Sequence, residues 1–249
     1  MTDLHCHILP GMDDGSRNVS TSVDLLDMLK EQGVENVVFT SHFLCEEETI
    51  DEYIERRNAA YKKLLNDAPK ELIDNFRLKL GAEVYYSEKL VEMDLRPLCI
   101  TGTDYMLFEL PFYNKPDKLD EVIDGITSQG IFPIFAHIER YSYLMSDYKT
   151  IYNWVKSGFL MQTNSITIAR HDDLSSKMIK LIDNGLIHVI ATDTHSINRR
   201  PPYMDEALLY VKEKLGEAAA EGLVENGDFV FDGRKLTLNP RCPKLHFWK

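Results

Sequence analysis

The sequence predicts a single α/β domain built around a parallel sheet, and three observations support this. Short apolar runs alternate with longer amphipathic stretches along the 249 residues, a pattern typical of strand and helix units. Gly33, Gly130, Gly158 and Gly185 each follow a helical stretch and precede an apolar run, where a left-handed residue ends a helix. No linker, repeat or low-complexity tract interrupts the pattern. We therefore expect a closed or nearly closed barrel, with a doubly wound sheet as the alternative.

The individual elements follow from the length and spacing of the apolar runs. Seven short apolar runs predict strands. They span residues 2–7, 36–40, 77–84, 105–110, 132–137, 159–163 and 187–192. The amphipathic stretches predict helices. They span residues 20–32, 46–66, 115–129, 149–157, 172–184, 202–215 and 217–224.

The alternating pattern fades after about Gly227. We therefore expect one barrel domain over residues 1–249, with a C-terminal tail from about residue 227. Residues 241–249, at its end, are predicted to dock on the domain or to fray.

Composition and charge narrow the classes of function. Hydrophobic residues make up 44% of the chain and charged residues 27%, as in ordinary soluble globular proteins. The formal net charge of -12 argues against nucleic acid as a partner, because binding a polyanion needs a basic stripe. No window reaches the length of a membrane span, and the first strand leaves no room for a leader. The four cysteines are scattered, which predicts reduced thiols and a cytoplasmic location.

The first strand carries two histidines two residues apart. His5 and His7 project to the same face of an extended backbone, while Leu4 and Cys6 point to the other face. A glycine-hinged acidic loop follows and can bring a carboxylate back over the strand. Asp14 is the expected donor, although spacing alone does not separate it from Asp13. This end of the chain therefore predicts a metal site.

Further polar residues stand at the carboxyl ends of the other predicted strands. They are His42, Glu83, Glu109, His137, Asp193 and His195. In a parallel α/β sheet these ends lie on one face, so the side chains are expected to converge. With His5, His7 and Asp14 they make nine candidate ligands without a thiolate, a set that suits Mn, Fe, Zn or Co. Nine ligands exceed the needs of one ion, so we expect two to three divalent ions, with Glu83 as the bridge.

Two arginines follow ligand candidates and indicate what the metal site acts on. Arg140 follows His137 and Arg200 follows His195, with Arg199 competing for the second role. Guanidinium groups match phosphate oxygens in geometry and charge. The set therefore predicts phosphate-ester hydrolysis, in which cations activate water and the arginines neutralise the non-bridging oxygens.

Other chemistry is disfavoured. A cysteine-based phosphatase needs an arginine six residues after its nucleophile, and here those positions hold Met12, Asp51, Tyr105 and Trp248. His188 lies near the start of its strand, away from the predicted mouth, and is expected to be structural.

Four segments together carry a resemblance to a known family. They are HCHILPGMDDG at residues 5–15, GAEVYY at 81–86, AHIERY at 136–141, and DTH at 193–195 followed by RPP at 200–202. The chain resembles the PHP (polymerase and histidinol phosphatase) superfamily. More closely, it is similar to the bacterial protein-tyrosine phosphatases of the capsule and exopolysaccharide type, the CpsB/YwqE family.

The resemblance implies a distorted (β/α)7 TIM-like barrel, the PHP fold, with a trinuclear and usually Mn-dependent site. It implies these ligand groups: His5, His7, Glu83 and Asp193; Glu83, Glu109 and His137; and Asp14, His42 and His195. Arg140 and Arg200 would bind phosphate. The implied substrate is a phosphotyrosine-bearing protein, typically the tail of a tyrosine autokinase that controls polysaccharide export.

Three alternatives stay open at this point. One is a small-molecule phosphatase of the same superfamily, for example acting on histidinol phosphate. A nuclease on the same metal frame is disfavoured by the acidic charge. The third is a catalytically silent metal-binding partner of a kinase, against which the presence of both arginines argues.

Overall fold

The computed structural model describes residues 1–242 as an alternating series of strands and helices. The strands are β1 (Thr2–Cys6), β2 (Asn36–Phe39), β3 (His42–Phe43), β4 (Arg77–Leu80), β5 (Glu83–Tyr85), β6 (Tyr105–Glu109), β7 (Phe132–Phe135), β8 (Leu160–Asn164) and β9 (Val189–Ala191). The helices are α1 (Val19–Glu31), α2 (Ile50–Asp67), α3 (Lys70–Ile73), α4 (Leu119–Ser128), α5 (Ser142–Met145), α6 (Tyr148–Lys156), α7 (Ser165–Ala169), α8 (Asp173–Asp183), α9 (Met204–Leu215) and α10 (Glu217–Phe231). Short 3-10 helices span Glu88–Glu92, Arg96–Leu98 and Ile138–Arg140.

The strands pair in parallel around a ring. One sheet has the order β1-β2-β4 and the other the order β3-β5-β6-β7-β8-β9. β3 continues the course of β2, and β5 continues that of β4, so the two sheets share two strand paths. The first and last strands also meet, because the His7 amide donates to the Thr194 carbonyl (2.9 Å) and the Asp193 amide to the His5 carbonyl (2.7 Å). The predicted distorted barrel of seven strand paths is thus confirmed.

The predicted strand 77–84 is divided into β4 and β5, whereas the predicted strand 36–40 corresponds to β2 and is followed, after a break, by β3 at residues 42–43. Helix α2 packs beside the interruption and sends two side chains to it. The Tyr53 hydroxyl donates to the Ser41 carbonyl (2.7 Å), and Arg57 Nη1 donates to the Gly81 carbonyl (2.8 Å). The two carbonyls lie in the breaks between the strand segments, close before His42 and Glu83.

The barrel interior is layered from apolar to polar. Side chains alternate along each strand, so Tyr105, Leu107 and Glu109 of β6 share the inward face. Apolar residues of six strands form one buried cluster inside the ring, with Val230 and Phe231 of α10 packed against it. A larger cluster lies between the strands and the outer helices. The amino end of the barrel is therefore filled and covered, whereas the carboxyl end is lined by polar groups.

Each strand and helix predicted from the sequence has an observed counterpart, with shifted ends. Helix α2 begins after Thr49 rather than at residue 46, because the Thr49 side chain and Glu52 form a capping box. Helix α10 continues to Phe231, beyond the expected start of the tail, because burial of Val230 and Phe231 holds its last turn in helical form.

The described part of the tail lies against the amino end of the barrel, where the Arg241 amide donates to the Asn184 carbonyl (2.8 Å). The prediction for residues 243–249 lies outside the described residues. Within residues 1–242, none of the helices is both long enough and apolar enough to cross a bilayer.

Candidate metal centre

Strand β1 carries two imidazoles to the mouth of the barrel, which is the end where the strands finish. His5 and His7 are fully buried, and their Nε2 atoms lie 3.1 Å apart. The following loop turns back over the strand, where the Ser16 amide donates to the His7 carbonyl (2.9 Å). Gly15 permits this approach, because a Cβ atom there would lie 2.1 Å from the His7 carbonyl oxygen. The loop is therefore fixed against the strand that carries both histidines.

Four potential ligand atoms face one another at the centre of the mouth. His5 Nε2 lies 3.2 Å from Glu83 Oε2 and 3.4 Å from Asp193 Oδ1. His7 Nε2 lies 3.1 Å and 3.5 Å from the same two oxygens. Glu83 begins β5 and Asp193 follows β9, and both are buried. Side chains from three strand paths thus meet at one point.

Glu83 also borders a second group of donors. Its Oε1 lies 2.9 Å from His137 Nε2, and its Oε2 lies 3.0 Å from His42 Nδ1. Glu109, at the end of β6, lies 3.5 Å from His137 Nε2 through Oε1 and 3.5 Å from His42 Nδ1 through Oε2. The Glu83 carboxylate therefore lies between the two groups, as a bridging carboxylate must.

A third group forms the open side of the mouth. Asp14 Oδ1 lies 3.3 Å from His195 Nε2 and 3.6 Å from His42 Nε2. His195 Nδ1 donates to the Asp193 carbonyl (2.9 Å), so its Nε2 presents a lone pair. The Asp14 side chain is 68% exposed. This group is thus the one that solvent reaches most easily.

The structure separates Asp13 from Asp14, which the spacing left open. Asp13 Oδ2 accepts from His7 Nδ1 (2.8 Å) and from the His42 amide (3.0 Å). Asp13 therefore orients His7 with Nε2 toward the centre, as carboxylates behind ligating histidines do. Sequence reasoning missed this role, although the spacing of Asp13 and Gly15 was a signal. Asp13 Oδ1 accepts from the Gly15 amide (3.0 Å), as in an Asx turn.

The donor arrangement fits a metal cation. The Nε2 atoms and carboxylate oxygens at the centre are acceptors that repel one another unless a positive charge lies among them. Their separations of 3.1 to 3.5 Å match the roughly 3.4 Å expected between ligands of one tetrahedral ion with bonds of about 2.1 Å. His195 Nε2 is buried and has no hydrogen-bond partner among the described residues. Three sets of side chains have their ligand atoms within 4.8 Å of one another: His5, His7 and Asp193; His42, Glu83 and Glu109; and His7, Asp14, His42 and His195.

The carboxylates draw positive charge toward the mouth. Burial lowers the pKa of His137, but its hydrogen bonds to Glu109 and Glu83 outweigh this and raise it to about 10. Burial opposes the charge of Glu83, yet His5 and the hydrogen bonds from His137 and His42 hold its pKa well below the usual value. The same field that favours imidazolium here favours a bound cation.

Two of the donors have backbones in the left-handed region. His137 has φ 30° and Asp193 has φ 52°, values that residues other than glycine rarely adopt. Each such residue costs on the order of 1–3 kcal/mol of folding free energy. The two positions turn the chain sharply where β7 and β9 end, which directs both side chains into the centre.

The predicted phosphate-binding arginines flank the same centre. Arg200 Nη2 donates to Asp193 Oδ2 (2.5 Å), and Arg140 Nη1 lies 3.9 Å from that oxygen. The Arg140 guanidinium stacks on the Phe112 ring at 4.1 Å. Arg199 is exposed, and its amide donates to Ser196 Oγ (3.2 Å). Of the two competing arginines, the structure brings Arg200 to the mouth.

Sequence reasoning missed a set of neutral and acidic groups behind the donors. Gln162 and Asn164 of β8 are buried and point into the barrel. Glu139 is buried, and its Oε1 accepts from the Asn164 amide (2.8 Å) and from Thr167 Oγ1 (3.0 Å). The sequence held a signal for Gln162, because this polar residue follows three apolar residues inside a predicted strand.

Comparisons with known proteins give the same fold and a family. The family model for capsular polysaccharide synthesis, CpsB/CapC, matches residues 1–231. The tyrosine-protein phosphatase CpsB of Streptococcus pneumoniae is 29% identical over 250 residues, covering 96% of this chain and 99% of that protein. The tyrosine-protein phosphatase YwqE of Bacillus subtilis is 26% identical over 251 residues, covering 98% and 96%.

A crystal structure from work on these two proteins, which describes them as metal-dependent tyrosine phosphatases, superposes with a TM-score of 0.84 at 23% identity. The superposition covers 98% of this chain and 100% of the other, so the two share a fold. The resemblance drawn from the sequence motifs is confirmed. Since the family match extends over nearly the whole chain, this protein belongs to the CpsB/CapC family of capsular polysaccharide synthesis.

Proposed function

We propose that this protein is a metal-dependent phosphatase that hydrolyses phosphotyrosine in proteins. The observation that carries the proposal is the meeting of His5 Nε2, His7 Nε2, Glu83 Oε2 and Asp193 Oδ1 at separations of 3.1 to 3.5 Å. Its relatives CpsB and YwqE are named as tyrosine-protein phosphatases. The acidic net charge of -12 disfavours the nuclease alternative.

The mouth would hold two to three divalent ions, with Mn as the first candidate and Fe, Zn or Co as alternatives. The proposed ligands are His5, His7, Glu83 and Asp193 for one ion, Glu83, Glu109 and His137 for the second, and Asp14, His42 and His195 for the third. When bound, such ions supply a water nucleophile at neutral pH and neutralise charge on the phosphoryl group. Asp13 keeps His7 turned toward the ions through its hydrogen bond to Nδ1 (2.8 Å).

Arg140 and Arg200 would bind the non-bridging oxygens of the phosphoryl group. Their side chains are 40% and 35% exposed, so both reach the solvent side of the centre. Stacking on Phe112 restrains the Arg140 guanidinium, which limits the entropy lost when it binds phosphate. Tyrosine has a pKa near 10, so a phenolate leaves more easily than an alkoxide and needs less help from a general acid.

The substrate we propose is a phosphotyrosine-bearing bacterial protein, such as the tail of a tyrosine autokinase that regulates capsule or exopolysaccharide synthesis. The membership of the CpsB/CapC family supports the link to capsule synthesis. We propose a cytoplasmic location, where cysteines as scattered as those of this sequence would stay reduced.

Metal analysis combined with turnover of a phosphotyrosyl peptide tests this function. We expect purified protein to contain at least two equivalents of divalent metal, and chelation to abolish turnover. His137→Ala should lose activity while keeping its circular dichroism spectrum, and His188→Asn, at the opposite end of the barrel, should keep activity. Unchanged turnover in His137→Ala would refute the site. Faster turnover of histidinol phosphate than of the peptide would favour the small-molecule alternative.

A further inference from the structure

Strand β8 supplies none of the nine proposed ligands, yet its two inward amides touch three of the strand paths that do. Gln162 Oε1 accepts from the His137 amide (2.7 Å) and lies 3.2 Å from His5 Nδ1. Gln162 Nε2 donates to Asn164 Oδ1 (2.8 Å), and Asn164 Nδ2 donates to Asp193 Oδ2 (2.7 Å). We call this chain of hydrogen bonds, from the His137 amide through Gln162 and Asn164 to Asp193, the amide relay.

The direction of the relay is fixed by its two ends. A backbone N–H such as that of His137 can only donate, so the atom of Gln162 that meets it must be the oxygen. An ionised carboxylate such as that of Asp193 can only accept, so the atom of Asn164 that meets it must be the nitrogen. Turning either side-chain amide by 180° would place a donor against a donor at one contact and an acceptor against an acceptor at another. The assignment of both amides therefore follows from the network itself.

This direction determines the tautomer of His5. Because Gln162 Oε1 is an acceptor, the His5 Nδ1 atom facing it must carry the proton. The Nε2 atom then presents its lone pair to the centre, where Glu83 and Asp193 lie at 3.2 and 3.4 Å. The relay also occupies Asp193 Oδ2, together with Arg200 (2.5 Å). That leaves Asp193 Oδ1 as the oxygen that faces His5 and His7.

We propose that Gln162 and Asn164 are positioning residues for the metal centre, which prepare His5 and Asp193 for the same ion before it binds. The proposal rests on the proposed metal-dependent function. Groups that orient metal ligands in this way contribute about 10- to 100-fold to metal affinity or activity. Both amides are buried, Gln162 fully and Asn164 to 6% exposure, so solvent does not substitute for either when it is removed.

The test compares Gln162→Met, which keeps the length of the side chain, with Thr163→Val on the same strand. Thr163 is fully buried and lies on the opposite face of β8, so its variant controls for disturbance of the strand. Metal-free proteins are titrated with Mn²⁺ against a chelating indicator, and their melting temperatures are measured in the metal-free state. We expect Gln162→Met to bind at least one ion about 10- to 100-fold more weakly, and Thr163→Val to bind like the wild type.

A double-mutant cycle with Asn164→Leu tests whether the two amides act as one chain. If they do, Gln162→Met combined with Asn164→Leu should weaken Mn²⁺ binding no more than the more severe single variant. Fully additive losses would overturn the relay, as would a Gln162→Met protein that is less stable without metal but binds Mn²⁺ normally. If the wild type itself bound no ion, the metal centre and the proposed function would fail first, and the relay with them.

Discussion

The two ends of the barrel use buried histidines in opposite ways. At the amino end, His188 Nδ1 accepts from the Met161 amide (3.2 Å) and Nε2 donates to the Gly185 carbonyl (3.1 Å). At the mouth, His7 and His195 each use Nδ1 on a protein acceptor and direct Nε2 to a centre shared with carboxylates. A histidine that serves the fold has both ring nitrogens on backbone groups, whereas one suited to a metal has a nitrogen to spare.

The surroundings of the two ends match this division. Burial lowers the pKa of His188 to about 4, so it is neutral in the folded protein. Burial acts on His7 too, but Asp13 and Glu83 raise its pKa well above the usual value. The amino end is closed by apolar side chains of α10. We therefore expect substitutions at the amino end to change stability, and substitutions at the mouth to change metal binding and activity.

Glu83→Gln should give the largest effect and is the most direct challenge to this comparison. It removes a carboxylate oxygen from the point where His5, His7 and His42 meet. We expect phosphopeptide turnover to fall by more than about 100-fold, the upper range for groups that only orient a ligand. The variant is assayed beside His188→Asn under saturating Mn²⁺. A Glu83→Gln enzyme with near-normal turnover would place the reaction elsewhere.

The pH dependence of stability should show that His188 is neutral in the folded protein. Its pKa in the folded protein, about 4, lies below its ordinary value of 6.5, so between these values the unfolded chain binds more protons. The free energy of unfolding should therefore fall as pH falls from 6.5 to 4, by about 3 kcal/mol from this residue alone. Denaturant titrations of wild type and His188→Asn across this range measure the difference. Parallel profiles would show that His188 is not neutral when folded.

Metal removal should lower stability because ions leave the mouth, independently of the amino end of the barrel. An ion present at 100 times its dissociation constant adds about 2.7 kcal/mol, which corresponds to roughly 5–10 °C in melting temperature for a chain of this size. We expect chelation to lower the melting temperature of wild type and of His188→Asn by equal amounts. Glu83→Gln should show a smaller change, since its proposed ions bind more weakly. A larger change in His188→Asn than in wild type would show that the two ends are coupled.

Substitution of the arginines should give the smallest effect on turnover and should show which of them belongs to the mouth. Arg200→Ala removes a guanidinium that borders Asp193, and we expect about a 10- to 100-fold loss in kcat/KM, the equivalent of one charge-assisted hydrogen bond. Arg199→Ala should have no effect, because that side chain is exposed. Equal losses in both variants would indicate a diffuse positive field rather than a directed contact.

Much of the fold and the meeting of the nine side chains could be predicted because both follow from strand alternation. A histidine or carboxylate at the end of a parallel strand comes to the mouth whatever its distance along the chain. Choices between neighbours could not be made that way. Asp13 and Asp14 differ by one residue in a loop, and their roles depend on the contact of Gly15 with His7. Which of Arg199 and Arg200 reaches the mouth likewise depends on the local backbone conformation of the turn.

Other features depend on contacts between distant elements. The strand paths at 36–43 and 77–85 are divided where Tyr53 and Arg57 of α2 donate to backbone carbonyls, and no local sequence pattern predicts such contacts. Helix α10 extends beyond the predicted helical pattern because Val230 and Phe231 are buried under the barrel. Gln162 lies inside the predicted strand 159–163 and Asn164 directly follows it, and neither carries a charge. Their importance comes from the partners they meet.

The left-handed backbones of His137 and Asp193 have a consequence for engineering. Glycine adopts such a conformation without strain, so in the metal-free protein His137→Gly and Asp193→Gly would each relieve backbone strain while removing a donor from the mouth. Selection for heat resistance without metal would thus favour glycine at these two positions and yield stable but inactive barrels. A directed-evolution campaign on this scaffold should screen for turnover in every round, and the appearance of glycine at position 137 or 193 would warn that the catalyst is being lost.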